Sequence, residues 1–502
     1  MEITDLTPTE RRVWQAFSFG QGVDFSEGVD DDPEAGASWG PERTIRSTVI
    51  RTLLVSGPVR DGEIAGLKLT GARITGRLDL AYGTIAHPVR LRSCHFEQSP
   101  QLYGAQLRAL VLTNSVLPGV SAATLCIDGV LRFTGCRITG PVRLQGVKVA
   151  GALFLDSAEL GRPSGASDVA TPIAAHGTAA EEPILQLNHA EIGTDVWAVG
   201  LVAHGQVRLD GATVGGQMNL EDATLQAAGS VALQAERLSV GTDLNGLRLH
   251  ARGQVVLSGA RIPRHLNLTH ARLSGPGAQA LNAHSCVVGE LLLREAAPIV
   301  GTVDLRRSQF DFLHVLPEFW PARVRIDGLS YRTLAPHLPA EQRLPLLERD
   351  VEGYLPHSYE QLTTAYRSAG DDAAARTVQL AKLRRHRGTL TWSARFWGRL
   401  QDSTVGYGFR PLRAAGWLVL LLLSGTAAFA LRHPRPLKPD EAPVFHPLVY
   451  TLDLLVPFVS FGQESSFSPR GWYQWLAYLL IAAGWILATT IAAGITRTLN
   501  RQ

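Results

Sequence analysis

Apolar and small residues recur every eleven positions along the middle of the chain. In "LKLTGARITGRLDLAYGTIAHPVRLRSCHF" they form four columns: Leu67, Leu78 and Val89; Leu69, Leu80 and Leu91; Ala72, Gly83 and Cys94; Ile74, Ile85 and Phe96. Each copy holds two pairs spaced i, i+2, the period of a strand with one buried face. Gly and polar residues between the pairs indicate corners. The pattern predicts short strands and corners, not helices.

The same pattern returns later in the chain and makes a coiled fold the best interpretation. Its first column restarts at Leu131, Val142, Leu153, Leu185, Val196, Val207 and Met218, with weaker copies to Val324. Two copies would form one four-sided coil, and about 20 copies would stack into about ten coils at the strand spacing of about 4.8 Å. The fold class predicted is mainly β, a right-handed quadrilateral β-solenoid. The small residue of the third column is expected to let the backbone turn tightly.

The periodicity divides the chain into four segments. Residues 1–60 are predicted to be a helical N-terminal cap, 61–333 the solenoid with 11-residue half-coils, 334–402 a helical linker with a juxtamembrane helix, and 403–502 a membrane module. Residues 161–183, "GRPSGASDVATPIAAHGTAAEEP", interrupt the columns and are predicted to form a loop.

Helix starts are visible on both sides of the solenoid. Thr7, Pro8 and Glu10 predict an N-cap, a first helical position and a capping box. Pro41 is expected to open a second helix, whose apolar face would hold Ile45, Val49, Ile50, Leu53 and Leu54.

Beyond the solenoid, capping residues predict two more helices. Ser358 and Gln361 have the spacing of a capping box, Gly370 is expected to end the first helix, and Asp371 or Asp372 to begin the second.

Two C-terminal stretches, 414–431 and 472–495, match the roughly 20 apolar residues that cross a bilayer. Residues 446–464 are apolar over a shorter length and contain Pro457, which indicates a re-entrant or interfacial segment. Basic residues are denser before the first span than between the spans, so the N-terminus and C-terminus are predicted to be cytoplasmic. The predicted location is the cell membrane, with two spans.

Candidate functional residues lie in the segment between the predicted spans. A carboxylate near a bilayer is costly to bury, so Asp453 is the first candidate. Gln463 and Glu464, at the end of the segment, are the others. The alternative for Asp453 is an N-cap or an interfacial carboxylate that reaches water.

The stretch "STVGYGF", 403–409, contains the pentapeptide of potassium-channel filters. In a channel the filter follows one span and a pore helix, whereas no predicted span precedes Thr404. We therefore interpret Gly406 and Gly408 as a flexible turn before the first span.

Charge gives little indication of a partner. Lys and Arg number 48 against 45 Asp and Glu, a net charge of +3, so no global field favours nucleic acid. One outward position of the pattern carries Lys68, Arg90, Arg132, Arg143 and Arg208. A solvated face is the preferred interpretation of this basic stripe, and an anionic partner the alternative.

The four cysteines form no CxxC pair, and no signal peptide is recognised, so we expect reduced thiols. Cys94, Cys136 and Cys286 fall in the small-residue column and are predicted to be small core residues, with a redox role as the alternative.

Catalytic motifs are missing from the sequence. It contains no G-x-G-x-x-G that opens a helix after a strand, no Walker A sequence, no H-E-x-x-H and no G-x-S-x-G. No two histidines are three or four positions apart, as a metal-binding pair on one helix face would be. The sequence predicts no catalytic residue, cofactor or metal.

The columns resemble pentapeptide-repeat proteins, with A-x-L units, over about Asp61 to Tyr331, which implies that fold. The solenoid followed by "YEQLTTAYRSAG", "TVGYGFRPLRA" and "LDLLVPFVSFGQE" resembles a group of bacterial, often actinobacterial, proteins labelled membrane-associated oxidoreductases. That label implies redox chemistry, although no residue matches a flavin, nicotinamide, haem or metal site.

The predicted function is that of a scaffold or binding surface, a cytoplasm-facing solenoid held at the membrane. Its expected partners are the lipid bilayer and a protein on the solenoid surface, and no nucleic acid. A membrane-associated oxidoreductase is the first alternative, and an oligomeric channel or transporter component the second.

Overall fold

The computed structural model describes residues 5–26, 28, 31–163, 182–295, 297–389, 411–438, 443–456 and 458–499. The chain forms two compact units, Met1–Gln361 and Leu362–Gln502. The described part of the first unit is a parallel β-solenoid of about 11 turns, which confirms the mainly β prediction.

Each regular turn supplies four short strands that pair in parallel with the next turn and so build four ladders. In one turn these strands are Leu131–Arg132, Arg137–Ile138, Val142–Arg143 and Lys148–Val149. Leu131 pairs with Leu153, a step of 22 residues. The structure therefore confirms that two eleven-residue copies form one turn.

Ladders 1 to 4 are named in the order in which the chain visits them from Leu131. Ladder 1 contains Gly22–Asp24, Leu67–Thr70, Val89–Arg92, Leu110–Thr113, Leu131–Arg132, Leu153–Phe154, Val196–Trp197, Met218–Asn219 and Leu244–Asn245. Ladder 2 contains Thr44–Arg46, Arg73–Thr75, His95–Phe96, Val116–Leu117, Arg137–Ile138, Glu159–Leu160 and Val202–His204. Ladder 3 contains Val120–Ser121, Val142–Arg143, Leu185–Gln186, Val207–Arg208 and Arg323–Arg325. Ladder 4 contains Thr84–Ile85, Gln106–Leu107, Cys126–Ile127, Lys148–Val149, Glu191–Ile192, Thr213–Val214 and Ser239–Val240.

Later turns have longer strands that pass round a corner and join two ladders. Ladders 2 and 3 are joined by Thr224–Gln234, His250–Val256, Arg272–Asn282 and Val300–Asp304. Ladders 4 and 1 are joined by Arg261–Asn267, Val287–Leu293, Gln309–Val315 and Ser330–Ala335.

Inward side chains of the ladders fill the core with apolar atoms. In the turn that begins at Leu131, eight side chains are at most 2% exposed: Leu131, Phe133, Cys136, Ile138, Val142, Leu144, Val147 and Val149. They are the eight column positions of two pattern copies. Alternation of buried and outward residues along each strand produces this core.

The tight turn lies one residue before the third column, which corrects the expectation that the small residue itself makes it. Gly135 and Gly146 have φ +64°, and Cys136 and Val147 follow them with buried side chains. The left-handed conformation favours glycine because it has no Cβ. The third column is filled by small or medium residues because their side chains point into the core.

The eleven-residue pattern did not predict the strands between Phe96 and Leu131. Val89 pairs with Leu110, and Leu110 with Leu131, so both steps are 21 residues. A corner that loses one residue shifts a strict eleven-residue template out of phase, although the strands still pair. Ladder hydrogen bonds fix the strands, and corners absorb differences in length.

The N-terminal end of the solenoid is covered by helix Pro8–Phe17, and the predicted capping box is present between Thr7 and Glu10. The prediction of a helix opening at Pro41 is wrong. Pro41–Arg43 is a 3-10 turn, and Thr44–Arg46 is a strand that pairs with Arg73–Thr75. Pairing this strand with the first turn satisfies the sheet edge. Another 3-10 helix covers Pro33–Ser38, and the second α-helix is Ser47–Ser56.

A short segment after the last strands covers the other end of the solenoid. This segment, residues 349–351, comes just after helix Ala340–Leu347. A 3-10 helix, Pro317–Phe319, lies earlier in the chain. The Val324 N–H donates to the Arg349 carbonyl, and Val324 accepts from the Val351 N–H. These bonds satisfy the edge of the last ladder 3 strand.

Helix Pro356–Ser368 begins before the predicted capping box, so the prediction of Ser358 as an N-cap is wrong. Gly370 has φ +78°, as expected of a helix stop. The next helix, Asp372–Thr389, is capped by Asp371, whose Oδ1 accepts from the Ala374 N–H at 2.9 Å. This part of the prediction is confirmed.

Among its described residues, the second unit also contains helices Pro411–Leu431, Pro447–Leu455 and Trp472–Leu499 and the strand pair Arg435–Pro436 and Phe467–Ser468. Across the described residues, no helix has both the length and the apolar composition needed to cross a membrane. The spans at 414–431 and 472–495 stay predictions. The "STVGYGF" stretch at 403–409 lies outside the described residues.

Candidate functional site

The residues singled out between the predicted spans lie around one loop of the C-terminal unit. Asp453 is on helix Pro447–Leu455, and its side chain is buried. Its Oδ1 accepts from the Phe461 N–H and its Oδ2 from the Glu464 N–H, both at 2.8 Å. Glu464 itself is exposed. The Asp453 carboxylate therefore holds the loop through two charge-assisted hydrogen bonds.

Gln463 fixes the same loop from the other side. Its Nε2 donates to the Val444 carbonyl at 2.9 Å, and its Oε1 accepts from the His446 N–H at 3.2 Å. The side chain is buried. Asp453 and Gln463 thus bond backbone groups before and after helix Pro447–Leu455, and the geometry supports a positioning role for both.

Large apolar side chains stand exposed on the loop and helices of this unit. Phe458 and Trp485 meet edge to face, with ring centroids 5.7 Å apart. Trp475 is 69% exposed, and Leu420 and Leu423 are more than half exposed. Exposed apolar residues in such number mark an interaction surface.

Below this surface, the helices pack through large apolar side chains and, at one position, through a glycine. The core of this unit contains Phe429, Tyr450 and Leu480. A Cβ at Gly484 would overlap the Leu455 carbonyl oxygen, so helix Trp472–Leu499 lies directly against the backbone of helix Pro447–Leu455. The missing side chain at Gly484 is therefore what permits this close helix contact.

The basic stripe predicted from the sequence is not one stripe. Lys68, Arg90 and Arg132 lie on ladder 1, whereas Arg143 and Arg208 lie on ladder 3. An eleven-residue step moves the chain halfway round the coil, so every second member belongs to another ladder. The sequence register alone could not separate them because the two half-coils look alike.

The solenoid also has a cationic cleft that the sequence pattern did not predict. It has a volume of about 350 Å³ and is lined by residues of three successive turns, among them His250, Arg252, Arg272, Ser274 and Val300. His250 pairs with Arg272 in the ladder register, and Arg252 with Ser274. The sequence did not predict this cleft because its residues are about 22 positions apart. They also occupy outward positions that the four apolar columns do not describe.

Burial lowers the pKa of His250 below its ordinary value, and the charges of Arg272 and Arg252 lower it further. The imidazole is therefore neutral at pH 7. Both arginines are exposed, and neither guanidinium has a hydrogen bond or an ion pair with another described residue. The cleft concentrates positive charge that the protein leaves uncompensated.

Three of the four cysteines are core residues, as predicted. Cys94, Cys136 and Cys286 are at most 1% exposed, while Cys126 is partly exposed. Burial raises the pKa of Cys94 and of Cys136 to about 12 and that of Cys286 to about 11. Thiols of this kind are unreactive because the thiolate is the nucleophile.

No protein-family model, curated protein or solved structure matches the chain. The resemblances to pentapeptide-repeat proteins and to membrane-associated oxidoreductases therefore stay predictions. Within the described residues, no three His, Cys, Asp or Glu side chains form a group that could hold a metal ion.

Proposed function

We propose that the chain is a membrane-anchored scaffold. The C-terminal unit holds it at a lipid bilayer through two spans, and the solenoid, a right-handed quadrilateral coil, offers a binding surface in the cytoplasm. The observation that carries the proposal is the exposure of large apolar side chains in the C-terminal unit, with Trp472 at 78%.

Water is a poor solvent for this surface. Each buried Å² of apolar area is worth roughly 25 cal/mol, so transfer of several Trp, Phe and Leu side chains into lipid is strongly favourable. Tryptophan and tyrosine are also the residues that membrane proteins place at the bilayer boundary. Trp472, Trp475 and Tyr478, all exposed at the start of one helix, fit that boundary.

Charge supports the cytoplasmic side for the solenoid. Lys382, Arg384 and Arg385 are on helix Asp372–Thr389, which precedes the first predicted span. Each basic residue near an anionic leaflet contributes about 1 kcal/mol of attraction. Positive charge on this side of a span is typical of the cytoplasmic face.

The test is reconstitution of the full chain into phosphatidylcholine vesicles, followed by flotation at alkaline pH. We expect the wild type to float with the vesicles. A double variant that carries both Leu420→Glu and Leu423→Glu should float severalfold less. The matched control is Val55→Glu, at an exposed apolar residue of the solenoid unit. A wild-type chain left in the soluble fraction would contradict the anchor, and stoichiometric flavin or haem absorbance would favour the oxidoreductase alternative.

A further inference from the structure

Two arginines of the solenoid, Arg252 and Arg272, line the same cleft without an anionic partner among the described residues. Other arginines of the solenoid are paired with carboxylates: Arg248 donates to Asp222 and Glu221, and Arg306 donates to Asp304 at 2.7 Å. Arg252 and Arg272 lie on adjacent strands and make no hydrogen bond or ion pair with any described residue. They are diagonal neighbours, because Arg252 pairs with Ser274 and Arg272 pairs with His250.

The backbone around these arginines is shaped by an irregularity at the corner between ladders 2 and 3. The register of the strand pair shifts between Arg252 and Val255. Gly253 has φ +132°, and a Cβ there would lie 2.6 Å from the Ala227 carbonyl oxygen. Only glycine fits this corner without strain. The irregularity leaves Arg252 beside the cleft.

The walls of the cleft differ in character. His250, Arg252, Arg272 and Ser274 supply polar and basic groups. The other side, contributed by the next turn, is formed by Ala297, Pro298 and Val300, and Val300 is 53% exposed. A volume of about 350 Å³ matches the smaller ligand pockets of proteins.

We propose that this cleft binds a small phosphomonoester, with the phosphate between Arg252 and Arg272 and an apolar group against Pro298 and Val300. Guanidinium groups form paired hydrogen bonds with phosphate oxygens, and two of them balance a phosphate dianion. The Ser274 hydroxyl and the His250 imidazole add neutral hydrogen-bonding groups. The apolar wall distinguishes an organic phosphate from inorganic phosphate.

Binding also changes the charges around His250. In the free cleft, burial, Arg272 and Arg252 lower the pKa of this imidazole. A bound dianion offsets the two guanidinium charges, so the pKa of His250 rises on binding. Near pH 6 this uptake of a proton by His250 is offset by the proton that the phosphate group, with a second pKa of about 6, releases when it binds as the dianion.

Isothermal titration calorimetry on the full chain in detergent tests the site, with phenyl phosphate and inorganic phosphate as probes. We expect phenyl phosphate to bind once per chain and more tightly than inorganic phosphate. Arg252→Ala and Arg272→Ala should each weaken binding about tenfold or more, and the double variant should abolish it. Both side chains are exposed, so thermal unfolding should hardly change.

Arg90→Ala is the matched control, because Arg90 is an exposed arginine on ladder 1. Its affinity for phenyl phosphate should equal that of the wild type. Wild-type protein that fails to bind either probe, or binding that survives the double variant, would overturn the proposal. Equal weakening by Arg90→Ala would mean nonspecific attraction and would overturn it as well.

The phosphate can come from a soluble metabolite or from a lipid headgroup, and a competition experiment separates the two. Water-soluble dihexanoyl phosphatidic acid is added to the phenyl phosphate complex, with dihexanoyl phosphatidylcholine as the control. Displacement by phosphatidic acid alone assigns the site to a lipid headgroup. Binding of phenyl phosphate without displacement by either lipid assigns it to a soluble phosphomonoester.

Discussion

The two units treat their apolar residues in opposite ways. Among described residues, the solenoid unit exposes ten large apolar side chains and the much shorter C-terminal unit exposes 17. In the solenoid, strand alternation directs every second side chain into the core. In the C-terminal unit, the described side chains of helix Trp472–Leu499 include exposed Trp472, Trp475 and Trp485. The difference agrees with the proposal that the C-terminal unit is the membrane anchor.

Buried carboxylates differ in the same way. Asp304, in the solenoid, is paired with Arg306 and lies 3.8 Å from Arg325. Asp453, in the C-terminal unit, is bonded to two backbone N–H groups of a loop. The first carboxylate is balanced by guanidinium charges of its own turn and the next turn, and the second by the backbone it holds in place.

A charge in the solenoid core should have the largest effect. Leu209 is 2% exposed, so Leu209→Asp places a carboxylate among apolar side chains and should destabilise the solenoid by at least about 3 kcal/mol. Denaturant unfolding followed by circular dichroism measures this. The same change at exposed Leu423 in the C-terminal unit is the control and should leave that transition unchanged. Equal effects would remove the distinction between the units.

Removal of the Asp453 carboxylate should have an intermediate effect, confined to the loop. Asp453→Ala leaves the N–H groups of Phe461 and Glu464 without their acceptor, at a cost of about 1–3 kcal/mol. Hydrogen exchange at these two amides should become faster. The control is Glu464→Ala, which removes an exposed neighbouring carboxylate; if it accelerates exchange equally, Asp453 does not hold the loop.

The smallest effect concerns pH. Burial acts to raise the pKa of Asp304, but hydrogen bonds from Arg306 and the charges of Arg306 and Arg325 outweigh it, so the pKa is lowered. A lowered carboxyl pKa adds stability above its unfolded value of about 4, and this stability is lost as the pH falls through the folded value. In Asp304→Asn, the free energy of unfolding should therefore fall less steeply as the pH is lowered below about 4. Denaturant unfolding at a series of pH values measures this.

Exposed Asp311, paired with Arg332 at 3.4 Å, provides the comparison for that experiment. Asp311→Asn should leave the fall of the free energy of unfolding in acid unchanged, since surface ion pairs contribute little. If the free energy of unfolding of Asp304→Asn fell as steeply with pH as that of the wild type, Asp304 would not be the group responsible for the loss of stability in acid.

Much of the solenoid could be predicted because its signal is local. The residues from Leu131 to Val149 repeat one pattern at fixed spacing, and all eight predicted column positions are buried. The turns after Phe96 could not be predicted because two 21-residue steps shift the phase. At Pro41, a strand pairing with Arg73–Thr75 overrode the local preference for a helix.

At the candidate sites, too, the sequence did not predict the contacts between distant residues. Asp453 could be selected as a carboxylate in an apolar segment, but its bonds to Phe461 and Glu464 depend on how the loop folds back. Arg252 and Arg272 look like any other arginines in the sequence. Only the ladder register makes them neighbours across the cleft.

The sequence by itself determined the strand period, the inward columns and the burial of Cys94, Cys136 and Cys286, since alternation and spacing along one strand are local properties. Tertiary structure alone decided the number of residues at each corner, the separation of the basic stripe onto ladders 1 and 3, and the cleft at Arg252. These depend on which turn lies beside which. That arrangement follows from hydrogen bonds between strands about 22 residues apart, and those bonds leave no mark on outward side chains.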